Sequence, residues 1–236
     1  MTEMIDMSIS GAGKMPGGEY RNVTISGAGK IEGSLRCASL DVSGSGKVQG
    51  DVDCAGGVDC SGAAKIEGRL SAGSVDCSGA VTVEGDCTVS GKLKASGAGK
   101  FKGNLRAELV ELSGEIACGG DVSAERFFSE GGCRIEGLLN AESIELKLHH
   151  SGSIGSIGGS NILVRKKRSF SLFSDRSGGL WTESIEGDCV DLEYTEAAVV
   201  RGKTVNIGAG CRIGRVEYSE NLTTAADAII GEKIKI

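Results

Sequence analysis

Nine cysteines, two adjacent histidines and a recurring Ser-Gly-x-Gly-Lys motif are the residues of this 236-residue chain whose types suggest chemistry. Cysteines that bind zinc or exchange disulfides are commonly spaced C-x-x-C, and no two cysteines here stand that way. Cys60 and Cys77 share a phase with Ile25, Val42 and Leu112, while Cys37, Cys54, Cys87 and Cys118 fall among other apolar positions. They read as buried small hydrophobes. His149 and His150 point to opposite faces if they lie in a strand, and the chain has no third histidine to complete a three-His zinc site. They read as a solvated surface pair. A phosphate-binding loop needs G-x-x-x-x-G-K-[ST] ahead of a helix, but Lys30, Lys47 and Lys65 are followed by Ile31, Val48 and Ile66. The reading is therefore of a protein that is not an enzyme, with no catalytic residue, no metal ligand and no cofactor.

The elements that would carry these residues repeat. The segments SISGAGKMPG (8–17), TISGAGKIEG (24–33), DVSGSGKVQG (41–50), DCSGAAKIEG (59–68), DCSGAVTVEG (76–85), KASGAGKFKG (94–103), ELSGEIACGG (111–120) and FSEGGCRIEG (128–137) align, each ending on a glycine. Their steady period is too short for helical repeats or propeller blades. Within a unit Val23, Ile25, Ile31, Leu35 and Cys37 alternate with polar residues, a strand signal. Three short strands and three Gly-rich corners fill a 17–18-residue coil. The predicted fold is all-β, a parallel three-faced β-helix in which each strand pairs with its equivalent one coil away. Parallel crossovers favour the right-handed form.

Composition agrees. There are 39 Gly, one Pro and only nine aromatics beside 39% hydrophobic residues, which suits a narrow core filled in thin layers. A net charge of −6 and a pI near 5.1 argue against a nucleic-acid partner. No run approaches the 18 apolar residues of a membrane helix, and the first residues lack a charged-then-apolar leader. Free thiols fit a reducing compartment, so a cytoplasmic location is expected.

The pattern divides into residues 1–148, a regular β-helix of about eight coils; 149–184, an irregular coil with a projecting loop; and 185–236, looser β-helix coils. Residues 151–160 read as loosened coil. The stretch 165–181 gathers Arg165, Lys166, Lys167 and Arg168 with Phe170, Phe173 and Trp181, a candidate for contact with a partner or an anionic membrane surface. Lys14, Lys30, Lys47, Lys65, Lys100 and Arg134 stack in one outward column beside a Glu column. Met7 and Ile9 near one end, and Ile229, Ile230, Ile234 and Ile236 near the other, lie in strands with no capping helix in view. Open coil ends are sheet edges that template pairing with another chain, and Pro16 blunts the first of them.

The S-G-x-G-K-[IV]-x-G units, clearest in TISGAGKIEG and DVSGSGKVQG, resemble the bactofilins, a family of polymer-forming bacterial cytoskeletal proteins, over residues 8–145. The resemblance implies a right-handed β-helix that polymerises end to end without nucleotide. It also implies a cytoplasmic scaffold, often at the membrane, that positions envelope or motility machinery. The expected partner is a second copy of the chain, with envelope or motility proteins and a peripheral membrane contact after it. The alternative is a non-polymerising monomeric or dimeric binding module.

Overall fold

Alternating apolar residues and regularly recurring glycines fold into three-sided coils. The computed structural model describes residues 4–149, 151–166 and 178–236. The chain divides into two compact units, Met1–Gly120 and Asp121–Ile236. Both are built from parallel strands, with no helix among the described residues. The architecture is the parallel β-solenoid that the repeat predicts.

In the first unit each coil lays one short strand on each of three faces. Met7–Ile9, Asn22–Ile25 and Ser39–Val42 stack on the first face. The x-small-Lys-apolar strands, such as Ser45–Val48 and Ala63–Ile66, stack on the second. Leu35–Cys37 and the residues from Val52, Leu70 and Cys87 stack on the third. Met7 pairs with Val23, Asn22 with Ser39, Leu40 with Val58 and Val58 with Val75, so the pairing offset varies by a residue from coil to coil as the glycine spacing does. Side chains alternate inward and outward, and Ile25, Ile31, Leu35, Leu70, Leu93 and Phe101 are almost fully buried. The expected inward columns hold, apart from half-buried Met15 at the first coil and half-buried Ala124 in the second unit.

The Ser-Gly corner explains why the motif must recur. The Gly27, Gly44, Gly62, Gly79 and Gly97 corners stack so closely that a Cβ on any of them would sit 1.9–2.2 Å from the carbonyl oxygen of the glycine one coil below. None of these glycines has a positive φ. Close backbone approach, and not the conformational freedom of glycine, selects the residue here. These carbonyls are engaged as well: Gly27 O accepts from Ser45 N at 2.8 Å and Gly44 O from Ala63 N at 2.8 Å.

The second unit is made of longer strands that bend around the corners: Val122–Leu148, Gly152–Lys166, Leu180–Leu192, Thr195–Ile207, Arg212–Thr224 and Ile229–Lys235. Residues 152–160 differ from the loosened coil expected over 151–160, and the strand expected at Ile162 and Val164 is present. Ile154, Ile157, Ile162 and Val164 are buried and continue the columns of Ile135, Leu139, Ile144 and Leu146. Their glycines suit the tight stacking: a Cβ on Gly155 or Gly159 would meet a backbone oxygen at 2.5 or 2.2 Å. Gly152 pairs with Leu180, nearly twice the sequence interval that separates Leu180 from its own partner Thr195. The surplus includes residues 167–177, which lie outside the described residues. Thr182 enters an apolar column, and its hydroxyl donates to Gly155 O at 3.1 Å or Ser184 O at 3.3 Å, as a buried hydroxyl must.

Gly79→Ala should lower unfolding free energy by about 1–3 kcal/mol, because the new methyl group collides with backbone that cannot move aside. Gly11→Ala, at the same corner of the first coil with nothing within 4 Å of the new Cβ, should be nearly neutral. Urea unfolding of both variants checks the pair, and equal effects would reject the stacking explanation.

Candidate functional site

Stacking turns every outward position into a ladder with a rung each ~4.8 Å, and the surface chemistry follows from what each ladder repeats. On the second face Lys14, Lys30, Lys47 and Lys65 stand in register. Repulsion along this column is offset by the neighbouring carboxylates. Lys30 pairs with Glu32 at 3.0 Å in its own coil; Lys47 reaches Glu67 at 2.8 Å and Lys65 reaches Glu84 at 3.2 Å one coil above. The hydrogen bond from Lys30 lowers the Glu32 carboxyl below its usual range, and Lys47 and Lys102 do the same for Glu67 and Glu84.

The corner leading to the third face holds a ladder that the motif search missed. Asp51 Oδ1 accepts from Arg69 N at 2.8 Å, and Asp86 Oδ1 accepts from Asn104 N at 2.8 Å. Ser34 Oγ accepts from Asp51 N at 3.2 Å. A short polar side chain there caps the amide one coil above. The signal was present in the sequence as a Ser, Asp or Asn directly after the repeat's final glycine. The adjoining strip forms an open groove of about 730 Å³ along the third face, lined by Arg36, Asp51, Asp53, Arg69 and Asp86 among others.

The cysteines stack as the phase predicted: Cys37 on Cys54 and Cys60 on Cys77, all buried. The hydrogen bond between the stacked free thiols holds Cys54 and Cys60 below the usual thiol range and pushes Cys37 and Cys77 above it, burial adding to the rise. Burial pushes Cys87 up to about 12. Among the described residues no three His, Cys, Asp or Glu side chains gather in a way that could hold a metal ion. His149 lies 3.3 Å from Glu130 at the surface; His150 lies outside the described residues.

The basic and aromatic candidates separate. Arg165 is tied to Asp191, and Asp191 also accepts from Asn206 Nδ2 at 2.8 Å. Lys166 sits over the Tyr194 ring, 4.6 Å from its centre. Trp181 is 50% exposed beside the ladder positions Glu196 and Arg212. Lys167, Arg168, Phe170 and Phe173 lie outside the described residues.

The candidates at the coil ends are also unlike one another. Met7 and Ile9 are buried over Val23 and Ile25, while Ile5 is 65% exposed. In the last strand and just after it, Ile229 and Ile236 are 60% and 72% exposed, and Ile230 and Ile234 are half-buried. Lys233 occupies the inward column of Ile185, Val200 and Val216, a charge where the rungs below are apolar.

Stacked coils in parallel register and mutually paired surface charges define a β-solenoid repeat protein. The model of the bactofilin family, described as polymer-forming cytoskeletal, matches residues 5–88 and 54–140. The chain belongs to that family. The Bacillus subtilis (strain 168) protein YhbF is 48% identical over 101 residues, 42% of this chain and 42% of the relative. YhbE of the same organism is 37% identical over 106 residues, 44% of this chain and 45% of the relative. Both carry the description uncharacterized protein, and this chain spans less than half of either. No solved structure matches the chain. Among the described residues no helix is long and apolar enough to cross a membrane.

Two outcomes test this surface chemistry. Of the nine thiols only Cys189 is exposed, so a thiol reagent should titrate one group in the native protein and nine after unfolding. Several fast-reacting groups in the native state would contradict the stacked core. The second outcome concerns acid. Asp6, held at about 2 chiefly by its hydrogen bond from Arg21, and Glu32, Asp51, Glu67, Glu84 and Glu217 all have lowered carboxyl pKa values. Their contribution is present above the unfolded values of about 3.9 for Asp and 4.3 for Glu, and is lost as pH falls through the folded ones. The thermal midpoint should therefore fall below about pH 4, by less in high salt because these groups lie at the surface, exposed or half-buried. A midpoint that rises on acidification would overturn the assignment.

Proposed function

We propose that this bactofilin is a structural scaffold that self-assembles through the strand edges of its coils, without nucleotide, into filaments on which envelope or motility components are positioned. The observation that carries the reading is in-register parallel pairing that ends on an open coil edge in each unit, at Met7–Ile9 in the first and at Ile229–Lys235 in the second. A terminal coil with unpaired amides and carbonyls is a template for another strand, and the polymer-forming description of the family fits that use. The two edges are not equivalent. The first coil offers an apolar inward column, but Pro16 and the register shift between Pro16 and Gly18 interrupt its pairing face. At the last coil a stacked partner would cover the Lys233 ammonium, which is costly without a counter-charge. Both features restrain unlimited stacking. A peripheral membrane contact near Trp181 is the secondary part of the proposal, and its exposure favours that role. Arg165, held by Asp191, contributes little to it.

Negative-stain electron microscopy of the purified chain, across concentration and salt, should show filaments a few nanometres wide that ATP and GTP leave unchanged. Lys233→Leu should lengthen them or lower the concentration at which they form. Discrete particles under all conditions would sink the polymer reading and leave a non-polymerising binding module. Filaments that require nucleotide would sink the nucleotide-independent mechanism.

A further inference from the structure

The third face of the first unit carries an ordered charge pattern that the coil edges do not use. Over the first six coils its central column reads Glu19, Arg36, Asp53, Ser71, Thr88 and Arg106. The corner column beside it holds Ser34 in the second coil, Asp51 in the third, Arg69 in the fourth and Asp86 in the fifth. Summed by coil, these two columns run negative, positive, negative, positive, negative, positive. The far edge of the face is small at Ala38, Ala55, Gly73 and Ser90, with Arg21 in the first coil and Glu108 in the sixth.

We infer that two copies of the chain pair face to face through this surface, antiparallel, about a two-fold axis lying along the strands between the third and fourth coils. Such an axis keeps each column on itself and exchanges coil one with six, two with five and three with four. Glu19 then meets the partner's Arg106, Arg21 meets the partner's Glu108, and Asp51 meets the partner's Arg69. Arg36 faces the partner's Thr88 with Asp86 beside it. The small residues meet small residues, which lets the two backbones approach. A parallel pairing sets each coil on its own copy and so brings like charges together, as does an axis through a coil, which sets Asp51 on the partner's Asp51. Among axes that fall between coils, this one overlaps all six coils of the unit. The charge order and the overlap therefore select direction and register, the usual role of electrostatics at an interface.

The existing intrachain bonds do not remove this complementarity. Arg36 reaches Glu19 at 3.1 Å and Asp53 at 3.3 Å, and Arg69 reaches Asp51 at 2.9 Å. Arg21 is more firmly held, by Asp6 at 2.9 Å, so its contact with Glu108 is the lesser one. All of these side chains are exposed enough to be shared across an interface. Six coils at ~4.8 Å by about five residues of strand give roughly 500 Å² per copy, which is at the small end for protein interfaces. The pairing is consequently weak and salt-sensitive, and gains strength where polymerised chains present many such faces at once. It uses a face and not an edge, so it stands or falls independently of end-to-end assembly.

The test is a charge exchange. Glu19→Lys and Arg106→Glu change exposed residues outside the core, and each variant turns both copies of one cross-pair into a repulsion. Sedimentation at about 20 mM salt should show lateral association weakened about tenfold or more in either variant alone. An equal mixture of the two should recover wild-type association. In a mixed pair the two introduced charges face one another, and the native Arg106 of one copy faces the native Glu19 of the other. Recovery itself proves that both variants are folded. Association of the wild type and of the mixture should fade by about 0.5 M salt. End-to-end assembly is indifferent to mixing, because the exchange is confined to side chains of the lateral face. Single variants that associate like the wild type, or a mixture no better than its components, would overturn the inference.

Discussion

Every residue within the coils sits ~4.8 Å from its equivalents in adjacent coils, and that repetition is the constraint from which the rest follows. A side chain must tolerate a near copy of itself on both sides. At the Ser-Gly corner the tolerance is nil: a methyl group on Gly79 would meet the Gly62 carbonyl oxygen at 1.9 Å. The motif is therefore a record of backbone packing, which is why a lysine following it signals neither a phosphate nor a helix. In the core the same rule favours apolar columns such as Leu35, Val52 and Leu70, whose flat stacking excludes water without a wide interior.

Polar columns obey the rule by pairing sideways or upward. Lysines on the second face are neutralised by glutamates in their own coil or the next. Asp51 and Asp86 turn their carboxylates onto the amide above and so finish the corner. Inside, paired thiols act as small stacking groups, and Thr182 is admitted because backbone carbonyls stand within reach of its hydroxyl. Where a column is broken, as by Lys233 or Pro16, stacking is penalised.

Much of this was legible in the sequence because period and register are the same quantity. The uneven spacing of the repeat glycines reappears in the pairing of Met7 with Val23, Asn22 with Ser39 and Leu40 with Val58. The alternation of Val23, Ile25 and Ile31 marks the inward side directly. Residues 152–160 were harder. Their glycines look like loop signals, but Ile154 and Ile157 keep the inward phase while glycine supplies the close approach. The Asp51 ladder was equally hidden, since an isolated aspartate after glycine gives no hint that its acceptor role reaches one coil up.

The sequence by itself determined the coil, its three faces, the buried cysteines and the family to which the chain belongs, because each depends on a local pattern repeated at a fixed interval. Only the tertiary structure decided which charges meet. Lys47 passes over the nearer residues of its own coil to reach Glu67, and Arg165 finds Asp191 across the long interval between their strands. Such separations acquire meaning when the corners set the lateral offset between coils. It also decided which apolar candidates are exposed, burying Met7 and Ile9 while leaving Trp181 and Ile229 in solvent. Exposure depends on what the next coil covers, and that is a property of stacking in three dimensions.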